Sequence, residues 1–522
     1  ENWYNSISLD DLNHLISFKK SWIYKDSNIE KRNNIYKNYY KELVNIAKNE
    51  NISVYITTDM QFYTDLMEEK IWKISVNNKK LEDINKEAFE ELFSDLGEIS
   101  WVIMRIWEWW KAYNSWDYKS KIIYKDPEDV NKLLKEILPI FEKNSKKLIF
   151  RTWTIWIGEI WDLIVDKKTY DETFSEINSN NLIVSVKQTP GDFFYFESLN
   201  PTIWYWNLKQ IVEIEVRREY EWWWDFPNYM WDYYKEIYDK IKEKDNIVWV
   251  WNWNQTWWWW WWKNILFNFW FNFWNEINFY VVWQILNWKE INLDEILDKY
   301  NFSNEQKNVL KDILSSSREI IKKWWYINDY REKEIKIWWI FLPPLNRIWW
   351  DRVSSSPIIL SLIYNSLDSK IKTIEESSYL LWIQKKELEE WWKVKWNSDL
   401  DNKIYFTLEN RYKIFEILQI FKKSFINYFQ TWSKENFSEI DEKIKDYYAF
   451  KSDKPYINFD FDEIYNFYSN WEDFSFLYLN LFSFWIFLIF ALRYEKINNF
   501  YKKRIRHKLI ILSILCLSIL LS

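Results

Sequence analysis

The chain of 522 residues carries 70 Lys and Arg against 77 Asp and Glu, for a net charge of −7 with the two signs interspersed. That length accommodates one large domain and a second one, and neither a basic face for nucleic acid nor an acidic tail is present. A single cysteine, Cys516, excludes a disulfide framework. Two histidines, His14 and His507, argue against a histidine metal site or a Ser-His-Asp triad, so no metal or other cofactor is expected.

Glu1 in place of Met marks either a processed N-terminus, as an exported protein would have, or a fragment boundary. From about residue 30 to 300, short apolar runs alternate with helical patterns. Ile52–Thr58, Trp101–Ile106, Leu148–Thr154, Leu182–Lys187, Gln210–Val216 and Ile247–Trp251 read as buried strands. Asn33–Asn49, Leu81–Leu96, Pro127–Lys143, Lys168–Ile177 and Met230–Lys244 read as the helices between them. Asp126-Pro-Glu-Asp129 is a strong helix start. Such alternation predicts an α/β fold with a parallel sheet, and its extent favours a (β/α)8 barrel over residues 1–300, with an open doubly wound sheet as the alternative.

Residues 301–470 are rich in helical Lys/Glu patterns and predict a helical domain. Phe474–Leu492 is 19 residues without charge, long enough to span a bilayer. The basic stretch 493–508 follows, and then a shorter apolar run, 509–522. Basic loops stay cytoplasmic, which predicts a cell-membrane anchor and an extracytoplasmic position for residues 1 to about 470.

The composition has one abnormal feature. There are 43 tryptophans and 3 glycines, together 46 of 522 residues or about 9%, close to the ordinary glycine content of about 7%. Trp257–Trp262 form an unbroken run, and Trp109-Trp110, Trp222–Trp224, Trp338-Trp339, Trp349-Trp350 and Trp391-Trp392 sit in polar, turn-like contexts. Six adjacent indoles in a loop would expose a large apolar patch. The expectation is that most of these tryptophans are glycines, from a source that reads UGA as glycine. The competing reading is a tryptophan-rich sugar-binding surface.

Barrel enzymes place their chemistry at the carboxyl ends of strands, and glycosidic hydrolysis needs an acid and a base or nucleophile, both usually carboxyl groups. Glu108 follows the strand ending at Ile106, Asp192 follows the one ending at Lys187, and Glu219 follows Ile211-Val-Glu-Ile-Glu-Val216. Arg105, Arg151 and Lys187 lie at strand ends beside them.

Several segments in this order resemble the α-glucuronidases of glycoside hydrolase family 67, over about residues 50–300. They are Val184-Ser-Val-Lys-Gln-Thr-Pro-Gly-Asp-Phe193 with Asn200-Pro-Thr-Ile203, Ile211 through Trp222, Leu148-Ile-Phe-Arg-Thr152, and Asn275-Glu-Ile-Asn-Phe-Tyr-Val-Val-Trp-Gln284. The resemblance implies a (β/α)8 barrel and metal-free inverting hydrolysis. It implies Glu108 as the acid, Asp192 and Glu219 as the groups that activate water, and Arg151 and Lys187 on a substrate carboxylate, with Arg105 nearby. The expected partner is an oligosaccharide or polysaccharide, and the expected function is a membrane-anchored glycosidase acting on a uronate-bearing or related glycan. The family's N-terminal domain has no counterpart here, nor do its Trp and His residues near 252–262. A non-catalytic glycan-binding protein and a structural envelope protein are the competing functions.

Overall fold

A computed structural model describes most residues between 6 and 452; residues 107–117, 154–159, 189–198, 218–226, 255–272, 326–335, 342–368 and 453–522, with some shorter segments, lie outside the described residues. The chain divides into two compact units, Glu1–Val216 with Lys235–Asn254, and Arg217–Tyr234 with Gln255–Ser522.

The first unit is built on seven strands. They are β1 (Ser6–Asp10), β2 (Ser53–Asp59), β4 (Trp101–Arg105), β6 (Lys147–Arg151), β7 (Leu182–Lys187), β8 (Lys209–Arg217) and β9 (Ile247–Asn254), hydrogen-bonded in that order. The registered pairs from β1 to β8 are all parallel. A small antiparallel ribbon joins β3 (Phe62–Thr64) to β5 (Tyr118–Ser120). The six strands expected from sequence are present within a residue or so at most ends; β1 and the ribbon were not foreseen. Val, Ile and Leu dominate β6 and β7, as a sheet covered on both faces requires. Helices connect the strands at Asn28–Asn49, Lys79–Asp95, Pro127–Lys143 and Lys167–Phe174.

Two layers flank the sheet's central strands. Toward the helices, Phe89 and Phe93 each pack on Phe141 at 5.1 Å between ring centroids, and Phe150 meets Phe174 at 5.7 Å. Toward the other face, Tyr55, Ile103, Ile149, Ile183 and Ile211, one from each of five successive strands, form a single buried cluster, with Trp101, Val248 and Trp251 against it. Each buried aliphatic side chain contributes about 1.5–3 kcal/mol.

The sheet is strongly curled. Trp101 of β4 and Trp249 of β9 stack at 4.6 Å, although four strand spacings, roughly 19 Å in a flat sheet, separate their strands in the order. Curling brings the inward faces together and gives the interior a wall on more than one side. The described pairings run from β1 to β9 without a bond closing the ring.

Loop 16–21 has no strand to pair with, so its buried N–H groups need other acceptors. Glu91 accepts from the N–H of Ser17 (2.8 Å) and of Lys19 (2.9 Å) and from Lys37 Nζ (2.7 Å). Glu87, one helical turn earlier, accepts from the N–H of Lys20 (2.7 Å) and Ser21 (2.9 Å).

The second unit is helical, with helices Phe273–Leu286, Leu293–Asp298, Asn304–Trp325, Lys370–Lys393, Asp399–Thr431 and Phe437–Lys451. Buried positions on 370–393 are Thr373, Ser377, Leu380, Gln384, Glu387 and Trp391, a 4-3-4-3-4 spacing that lays one seam against a neighbouring helix. Trp391-Trp392, turn-like by sequence, therefore lie inside a helix, with Trp391 buried on its seam. Ser377 accepts from Lys422 at 2.8 Å and Glu387 from Arg411, so the helices 370–393 and 399–431 run antiparallel.

Among the described residues no helix is long and apolar enough to cross a membrane. The expected span 474–492 and the segments after it lie outside those residues.

Candidate functional site

Period-two alternation carries each inward face from the apolar cluster toward the carboxyl end of its strand. On β6, Ile149 is followed inward by Arg151; on β7, Ile183 by Ser185 and Lys187; on β8, Ile211 by Glu213 and Glu215; on β4, Ile103 by Arg105; on β2, Tyr55 by Thr57 and Asp59. At one end of the curled sheet the interior therefore changes from apolar to charged.

The charges are paired, and all but Arg105 are buried. Arg151 Nε and Nη2 donate to the two oxygens of Glu213, both at 2.8 Å, and Ser185 Oγ donates to the same carboxylate at 2.7 Å. Lys187 Nζ lies 2.6 Å from Glu215 Oε1 and 3.9 Å from the centroid of the Trp153 ring. Arg105 pairs with Asp59. Burial pushes the Glu213 carboxyl up, but Arg151, Ser185 and the nearby Lys187 outweigh it and hold the group below its ordinary value. A group with a depressed folded value adds stability that is present above its unfolded value and lost as pH falls through the folded one. Acid should therefore weaken this pair only below the usual glutamate range of about 4.3. Replacing Glu213 with Gln should remove that part of the acid transition, as read by unfolding curves collected between neutral and strongly acidic pH.

Asn200 is tied to the end of β7 and to Ile164. Asn200 Nδ2 donates to the carbonyls of Ile164 and Lys187, each at 2.7 Å, and Gln188 Oε1 accepts from Asn200 N–H at 3.1 Å.

Of the six residues singled out from sequence, Arg105, Arg151 and Lys187 are described, and all three face this charged end. Glu108, Asp192 and Glu219 lie outside the described residues; by chain position they follow the carboxyl ends of β4, β7 and β8. Arg151 and Lys187, expected to meet a substrate carboxylate, already hold carboxylates of the chain itself. Glu213 and Glu215 were missed as site residues. Their signal was present in Ile-Val-Glu-Ile-Glu-Val, where two glutamates at alternate positions of a buried strand must share one face. Asp59, at the end of β2, carried no such signal. Among the described residues no group of three or more His, Cys, Asp or Glu is placed to hold a metal.

No family model and no curated protein matches the sequence. Among solved structures, a GH138 enzyme targeting pectin rhamnogalacturonan II is similar at a TM-score of 0.49 and 11% identity, over 86% of this chain. This chain spans 56% of that enzyme's length. A mutant O-GlcNAc hydrolase from Thermobaculum terrenum is similar at a TM-score of 0.29 and 9% identity, over 90% of this chain and 94% of that one.

Proposed function

We propose that this chain is a glycoside hydrolase of α-glucuronidase-like type, with the curled sheet as the wall of a (β/α) barrel. One observation carries the reading: the inward faces turn from apolar to charged at the carboxyl ends of parallel strands, where barrel enzymes do their chemistry. In this reading Glu108 protonates the leaving oxygen, and Asp192 and Glu219 activate water on the opposite face of the sugar. Inversion would set the acid and base carboxyls roughly 6.5–9.5 Å apart. Arg151, held by Glu213, and Lys187, held by Glu215, would orient a uronate or related unit, with Arg105 beside them. Residues 474–492 would anchor the chain in the cell membrane with the sheet outside the cytoplasm.

The test is hydrolysis of a panel of uronate-bearing and neutral oligosaccharides by the full chain. Glu108→Gln should abolish bond cleavage, a loss of at least about a hundredfold for removal of a general acid, while the circular dichroism spectrum stays unchanged. Full activity in that variant, or glycan binding without turnover by the unsubstituted chain, would overturn the assignment.

A further inference from the structure

Tryptophan occupies two opposite kinds of place among the described residues. Trp22, Trp72 and Trp204 have φ of 57°, 71° and 60°, the half of backbone space that side chains with a Cβ avoid and glycine enters freely. Their side chains are 57%, 91% and 53% exposed, so little packing repays the conformation. Each is also held by its backbone. Trp22 N–H donates to Phe18 O at 2.8 Å and Trp72 N–H to Glu68 O at 2.7 Å. Trp204 N–H donates to the buried Gln210 Oε1 at 2.6 Å. Trp72 immediately follows the helix Asp65–Ile71 with ψ of −49°. A helix end with positive φ is a habitual glycine position.

Trp153 is the reverse case. It lies two residues beyond β6, is 3% exposed, and places its ring face 3.9 Å from Lys187 Nζ. Glycine there would leave a void beside a buried cation and remove one of the groups that orient it. No position of this kind is served by a missing side chain.

We infer that Trp153 is a genuine tryptophan that positions Lys187, whereas positions 22, 72 and 204 belong to glycine in the natural protein. The first part assigns a positioning residue to the charged end of the sheet. The second separates, position by position, tryptophans that the composition alone leaves mixed.

Peptide mass spectra of the protein from its natural source, read beside its coding triplets, test both parts. Glycine from UGA is expected at 22, 72 and 204, and an intact indole from UGG at 153. Tryptophan at any of the three, or glycine at 153, overturns the assignment. Positioning is tested by trace acylation of lysines in the folded full chain, following the peptide that contains Lys187. Trp153→Leu should speed acylation of Lys187 about tenfold, the scale of a lost cation–π contact in a desolvated place, and Trp153→Phe should restore most of the protection. Equal rates in the Leu variant and the unsubstituted chain overturn the positioning role. If the Leu variant does not fold, a tenfold rise in the folded Phe variant does so. Neither measurement depends on the substrate, so a failure of the hydrolase assignment leaves the result intact.

Discussion

A chain carrying glycine at positions 22, 72 and 204 should be more stable than the chain as written, by about 1–4 kcal/mol in total. Left-handed backbone costs a residue with a Cβ roughly 1–2 kcal/mol, counted once at each of the three sites. Two smaller contributions oppose the gain. Lys25 lies 3.9 Å from the Trp22 ring and Lys244 3.4 Å from the Trp204 ring, contacts worth about 0.5 kcal/mol each at exposed sites. Glycine also has more freedom to lose on folding, which trims the gain by some tenths at each position. The backbone cost is the largest of the three, so the sign is a net stabilisation. Urea unfolding should show a higher midpoint with an unchanged slope. An unchanged or lower midpoint would show that the indoles stabilise these turns. Trp72→Gly is the sharpest single case, because its side chain is 91% exposed.

Removing one partner of the Arg151–Glu213 pair should cost about 3–5 kcal/mol, because it strands a buried charge. Arg151→Met leaves Glu213 with Ser185 and the nearby Lys187 but without its two charge-assisted hydrogen bonds. The double variant Arg151→Met with Glu213→Leu removes both charges and should recover much of that loss, with Ser185 then giving up its acceptor. Thermal or chemical unfolding of the two single variants and the double one closes the cycle. A double variant less stable than both singles would mean that the pair serves the fold as more than mutual neutralisation.

Much of the first unit was legible because its signals are local. Val184 and Val186 on β7, and the 3- and 4-residue spacing of Leu134, Ile137, Leu138 and Phe141 on the helix 127–143, announce strand and helix without any distant partner. The short strand β1 was missed because five residues, Ser-Ile-Ser-Leu-Asp, carry too little pattern, and its pairing with β2 is what makes it a strand. The roles of Glu87 and Glu91 were equally hidden. On a helix they look like solvated charges, yet they satisfy a loop about 70 residues earlier in the chain.

From the sequence alone came the alternating α/β order, the strand end at Lys187, the placing of Arg105 and Arg151 toward the ends of theirs, and the excess of tryptophan over glycine. These rest on periodicity and composition, which neighbouring residues determine among themselves. Only the tertiary structure decided that Arg151 is clasped by Glu213 and Lys187 by Glu215, and that Trp22, Trp72 and Trp204 stand in positive-φ turns. Such facts depend on how far the sheet curls and where each loop is tied, and no window of adjacent residues contains that information.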